Sequence, residues 1–112
     1  MEIVNWKELP VISNPHNLDI RNLYDNPKIQ VRQIVLFSGH RVKPFVSPET
    51  ALLFVSMGNV VIQSGGSISN VSQGKLVICP ADVPTTLFNN SDEETRILAI
   101  RAPKPTVKSL LL

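Results

Sequence analysis

Nine prolines, spread from Pro10 to Pro105, divide this chain of 112 residues. Proline inside a helix removes a backbone donor and collides with the preceding turn, so each one argues against a helix around it. No proline-free stretch carries the sustained apolar spacing of three and four that marks an amphipathic helix. What lies between the prolines is short, apolar and rich in β-branched residues: 31–37, 51–57, 59–63, 75–79, 86–88 and 96–101. Turn formers separate these runs at Ser38-Gly39, Gly58-Asn59, Ser64-Gly65-Gly66, Gln73-Gly74 and Asn89-Asn90-Ser91-Asp92. Short strands separated by regular turn signals predict an all-β, single-domain sandwich or barrel.

Two of the turns make definite predictions. Gly58-Asn59 joins two apolar runs, which predicts a tight hairpin with Gly at positive φ. Ser64-Gly65-Gly66-Ser67 predicts the next hairpin, leading into SISNVSQG as a half-exposed edge strand. Residues 1–28 read as an N-terminal strand and loop extension, with Trp6, Leu18, Ile20 and Leu23 among Asn and Pro. Residues 29–103 form the barrel, and residues 104–112 a tail whose three leucines are expected to pack on the body or on a second subunit, a disordered tail being the alternative.

The totals bound the partners. With 43% apolar and 18% charged residues the chain is an ordinary globular domain. The net charge of +2 is scattered, which argues against nucleic acid as a primary partner. One cysteine, Cys79, cannot form an internal disulfide or a multi-Cys zinc site, and fits a reducing cytosol. The opening MEIVNWKELP lacks the basic flank and long apolar run of a signal peptide, and no apolar run is long enough to span a membrane. The expectation is a cytoplasmic protein without a membrane partner.

Two segments share a pattern with a known family. The stretch GKLVICPADVPTTLFN, from Gly74 to Asn89, resembles the second conserved motif of the cupins, G-x5-P-x-G-x2-H-x3-N. Gly74, Pro80 and Asn89 fall on that motif, and Asp82 stands where the family has its Gly. The stretch GHRVKPFVSPETALLFVSMG, from Gly39 to Gly58, resembles the first motif, G-x5-H-x-H-x3,4-E-x6-G, at its two end glycines. The segment SDEETRILAIRAP is similar to the strand that closes small cupins. The resemblance implies a double-stranded β-helix (jelly-roll) barrel with a pocket between its sheets, often in a homodimer.

It also implies where a metal would sit. In typical members two His and a Glu of the first motif and a His of the second hold a divalent ion. Those positions here are Phe45, Ser47, Ala51 and Thr85. A transition metal needs several strong nitrogen or carboxylate donors at once, and Phe and Ala offer none. The resemblance therefore predicts a pocket lined by these four residues, with no metal and no cofactor. Its interior reads as mostly apolar, through Phe45, Ala51, Leu53, Val55 and Leu87, with a few hydroxyls and no charged anchor unless Arg32, Arg41, Lys43 or Arg96 reaches in.

Three further residues are candidates for chemistry. His40 follows Gly39 and reads as a solvated rim-loop residue, as does His16 in NPHN. Glu49, between Pro48 and Thr50, reads as a solvated or turn-capping carboxylate. Cys79 ends an apolar strand and reads as a buried hydrophobe, reactive only with a cation such as Lys43 or His40 beside it. Three functions stay open: a dimeric, non-catalytic module binding a small apolar or neutral ligand; a metal-independent isomerase or lyase using Cys79, His40 or Glu49; and a structural or regulatory subunit of a larger complex.

Overall fold

A computed structural model describes residues 1–103 of the chain, so the leucine-ended tail lies outside the described residues. The strands are β1 (Asp19–Asn26), β2 (Ile29–Leu36), β3 (Ala51–Met57), β4 (Asn59–Ser64), β5 (Ser67–Ser72), β6 (Leu76–Cys79), β7 (Thr85–Phe88) and β8 (Thr95–Arg101). They form a five-stranded sheet, β1-β2-β8-β3-β6, and a three-stranded sheet, β5-β4-β7. Every strand pairing is antiparallel. Bridges from Arg41 to Phe88 and from Phe45 to Thr85 lay the 41–45 segment along β7, as a further member of the smaller sheet.

The pleat sorts the side chains. On the large sheet Ile20, Ile34, Leu36, Leu53, Val55 and Ile97 point inward; Val60, Ile62, Val71 and Leu87 meet them from the small sheet. Burying each such side chain stabilises the fold by about 1.5–3 kcal/mol, so this two-sheet core is the main source of stability.

The hairpin at Ser64-Gly65-Gly66-Ser67 forms as the turn residues predict, with Ser64 opposite Ser67 and β5 at a sheet edge. The hairpin at Gly58-Asn59 does not form. β3 pairs with β6 and β8, whereas β4 pairs with β5 and β7, so the chain changes sheets at Gly58. The glycine is needed there for two reasons. Its φ is +81°, and a Cβ would lie 2.7 Å from the Glu94 carbonyl oxygen. A close crossing over β8 dictates Gly58, not a two-residue turn.

The N-terminal residues are built into the structure. β1 forms a hairpin with β2, interrupted by a register shift between Asn22 and Tyr24. Upstream, a 3-10 turn at Trp6–Glu8 is held to the outer face of the large sheet. The Trp6 ring lies under two guanidinium groups, with Arg21 at 5.1 Å and Arg96 at 4.9 Å from its centroid. Arg21 also donates to the backbone carbonyls of Trp6 and Lys7, at 3.2 and 2.9 Å. Val35, which pairs with both Asp19 and Arg96, is almost fully buried although it points away from the core. Trp6 stacks on Arg96, the register partner of Val35, on this same outer face.

No helix among the described residues is long and apolar enough to cross a membrane.

Candidate functional site

The barrel interior has two unlike ends. At one end Leu36, Thr95 and Asn89 are wholly buried. The Asn89 amide donates to the carbonyls of Leu36 and Glu93, at 2.9 and 2.7 Å, and its oxygen accepts from the Ser91 N–H and hydroxyl. Thr95 donates its hydroxyl to the Asn59 carbonyl. Asn89, the motif asparagine, is thus a structural bracket with its donors and acceptor engaged.

At the opposite end, six residues and about 20 Å further along β2, Gln30 faces Arg101, which in turn faces Ala51, itself opposite Cys79. The four positions that the cupin motifs assign to metal ligands gather here. Phe45 and Thr85 exchange backbone hydrogen bonds at 2.9 Å, and Ser47 precedes the strand that Ala51 begins. All four are buried, at 5% exposure or less. Their only donor atoms, the two hydroxyls, have protein partners: Thr85 bonds Ser64 at 3.1 Å and the Val83 carbonyl at 3.2 Å, while Ser47 accepts from the Glu49 N–H at 3.4 Å. Among the described residues no group of three His, Cys, Asp or Glu side chains converges as a metal would require. These residues do not fit the family's metal. Asp82, at the motif's glycine position, adopts the same left-handed turn that glycine would, with φ 62°.

His40 stands apart from the other two candidates. His40 lies beyond Leu36, at the far end of the barrel from Cys79. Its Nδ1 accepts the Phe37 N–H at 3.2 Å, closing the loop after β2. Cys79 is buried, and burial pushes its thiol up, partly offset by a hydrogen bond with Thr85. It therefore stays a protonated thiol at neutral pH, without the cation that activation needs.

Glu49 and His16 differ from the sequence expectation. Glu49 is half-buried: its Oε2 is out of contact with solvent and without a hydrogen-bond partner, and its charge is felt by Arg101. His16 is half-buried, with neither ring nitrogen hydrogen-bonded; burial first, and then Lys43, hold its imidazole below the usual value. The turn that carries it packs ahead of Leu18, which is core.

Sequence reading named Arg32 only as a charge that could reach the interior, and missed Arg101. Arg32 shares its sheet face with Ile34 and Leu36, and Arg101 with Ile97 and Ala99; all point inward. The parity of RILAIR carries this signal: Arg96 and Arg101 are five residues apart and must lie on opposite faces.

Two unpaired sheet edges, β5 and β6, flank an open cleft of about 500 Å³. Ile62, Val71 and Val77 make its apolar wall, and Ser64, Ser67 and Ser69 supply hydroxyls. Ser64 ties this wall to Thr85, so the cleft opens directly beside the family's ligand positions.

No protein-family model matches the chain, nor does any curated protein sequence. Solved structures do. The protein TT1209 of Thermus thermophilus is 24% identical with a TM-score of 0.79, over 94% of this chain and 100% of that one. An RmlC-like cupin of Shewanella frigidimarina is 12% identical with a TM-score of 0.80, over 93% and 92% of the two chains. The polyketide cyclase RemF of Streptomyces resistomycificus is 14% identical with a TM-score of 0.82, over 96% and 82%. The fold is the double-stranded β-helix of the cupins.

Proposed function

We propose that this cupin-fold barrel is a small-molecule-binding module that works without a resident metal, taking a neutral, largely apolar ligand between β5 and β6. The cleft carries the reading. At about 500 Å³ it falls within the range of small-ligand sites, and its apolar wall with three serine hydroxyls has their usual make-up. His40 stands at the far end of the barrel from Cys79, whose buried thiol stays protonated, so binding is favoured over catalysis. A screen of neutral compounds by amide chemical shifts tests this. Ligands should move Ser67, Ser69, Val71 and Val77, and Ser69→Phe should abolish binding. Binders that leave those amides unmoved would overturn the cleft; a full equivalent of iron, nickel or zinc retained without chelator would overturn the metal-free reading.

A second copy of the chain is the partner we infer for the outer face of the large sheet. Tyr24, Val31, Ile100, Leu52 and Ile78 are successive register partners and form an apolar row across all five strands. Leu98, Phe54 and Leu76 form a parallel row beside it. The first row is about 19 Å long, at about 4.8 Å per strand spacing. No charged side chain interrupts either row, and Trp6 covers only the adjoining part of the face. A flat uncharged surface offers nothing to a charged partner, but it matches itself across a two-fold axis. Sedimentation should show a dimer that Leu52→Glu converts to a folded monomer. A concentration-independent monomer, or a dimer indifferent to that change, would overturn the inference.

A further inference from the structure

A bare sheet edge presents a row of unpaired N–H and C=O groups, and natural sheets guard it with charge, proline, a bulge, brevity or cover. Of the four sheet edges among the described residues, three are guarded. β1 carries Asp19, Arg21 and Asp25 and a register shift after Asn22. β7 is covered by the 41–45 segment, which brings Arg41, Lys43 and Pro44. β6 is four residues long and stops at Pro80. β5 has none of these devices. Its six residues, SISNVS, hold no charge and no proline, and they pair with β4 in unbroken register.

The two-residue turn at Gly65-Gly66 fixes which backbone groups of β5 face outward. In such a hairpin the flanking pair, Ser64 and Ser67, is the hydrogen-bonded one, so Ser67, Ser69 and Val71 turn their backbone groups to β4. Ile68 and Asn70 turn theirs to the open edge. Neither makes a backbone hydrogen bond outside the sheet with any described residue. The pleat sends the side chains of Ser67, Ser69 and Val71 into the cleft and Ile68 outward, where it is 68% exposed.

The cleft sets the chemistry of whatever completes this edge. No charged side chain lines it, so a charged strand would lose water there without gaining a partner. A second copy pairing through its own β5 would bring chiefly serine to the cleft and leave Val71 and Val77 uncovered. We infer that the β5 edge accepts an extended strand from another polypeptide, uncharged and with apolar residues at alternate positions. Its backbone pairs with Ile68 and Asn70, and every second side chain is lowered onto Val71 and Val77. This rests on the cleft of the small-ligand reading and gives it a second occupant, held by backbone hydrogen bonds along the edge.

The probe is an acetylated, amidated hexapeptide alternating Thr and Val, beside a twin N-methylated at every second residue so that it cannot pair. Amide exchange followed by NMR should find Ile68 and Asn70 unprotected in the dilute chain. The hexapeptide should slow both by about tenfold or more. The twin should bind about tenfold more weakly or worse, the worth of two or three lost hydrogen bonds. Asn70→Pro deletes an N–H that β4 does not use and leaves the cleft wall in place. It should weaken the hexapeptide by about tenfold or more and spare neutral compounds in the cleft. If this variant fails to fold, the N-methylated twin carries the test. Equal binding of the two peptides would overturn the inference and leave the small-ligand reading standing; peptide pairing with no small-molecule binder would do the reverse. Failure of the hexapeptide to protect these amides at millimolar concentration would also sink it. So would protection already present in the chain alone, whether it survives dilution (the chain covering its own edge) or is lost on dilution (a second copy).

Discussion

The two ends of the barrel interior are built from the same strands and differ in one respect. At the Leu36 end the buried polar groups of Asn89 and Thr95 are satisfied by the protein's own backbone. At the Arg101 end the Ser47 and Thr85 hydroxyls also have protein partners, but Arg101 brings a charge into the interior and Glu49 Oε2 is buried without a hydrogen-bond partner. The difference separates two reasons for a polar group to be inside. A satisfied one fixes the chain path. An unsatisfied one reduces stability, and its presence needs another cause. The cupin motifs divide along the same line: Gly58, Asp82 and Asn89 keep the frame, while Phe45 and Ala51 stand where the frame would hold a metal.

If the Leu36 end is purely structural, damage there should show in stability alone. Ile97→Ala removes a fully buried side chain from the centre of the core and should cost about 3–4 kcal/mol in denaturant unfolding. A cost under about 1 kcal/mol would mean the core can collapse and is looser than its burial suggests. Asn89→Ala comes next. It strips the partners from the Leu36 and Glu93 carbonyls and should cost about 2–3 kcal/mol. At the other end Glu49→Gln should change stability by less than about 1 kcal/mol, because no hydrogen bond of Oε2 is lost. A large loss there would erase the contrast between the ends.

Much of the frame was legible from residues because period and punctuation agree. The strand over 51–57 and the turn at Gly65-Gly66 follow directly from alternation and turn chemistry. β1 was harder to see, since its asparagines dilute the pattern and the register shift after Asn22 breaks its alternation. The corner at Gly58 looked like a hairpin because a glycine forced by a close crossing and one forced by a turn read alike. The ligand positions could be placed by motif spacing, but the arginines beside them could not. Whether Arg32 and Arg101 face inward depends on the register of β2 against β8, a long-range fact. Once Ile97 is known to be core, Arg101 follows from parity. Glu49 carried no local signal, because solvated and buried carboxylates before a strand share the same neighbours.

His16 is the sharpest challenge to the contrast, because it has buried unsatisfied nitrogens but does not lie in the Arg101 layer. A neutral imidazole with no partner is cheaper to bury than a carboxylate, and the fold selects that neutral form through burial and, secondarily, Lys43. Its folded pKa is lowered, so its contribution to stability is present above the ordinary value of about 6.5 and is lost as pH falls through the lowered one. Imidazole proton shifts followed against pH should give a midpoint below that of a free histidine. Lys43→Gln should raise the midpoint only part of the way, since burial is the larger cause. Full recovery in that variant would mean that the ring is solvated and only feels a charge. His16 would then cease to be an orphan, leaving Glu49 as the unsatisfied ionisable group of the barrel's described residues.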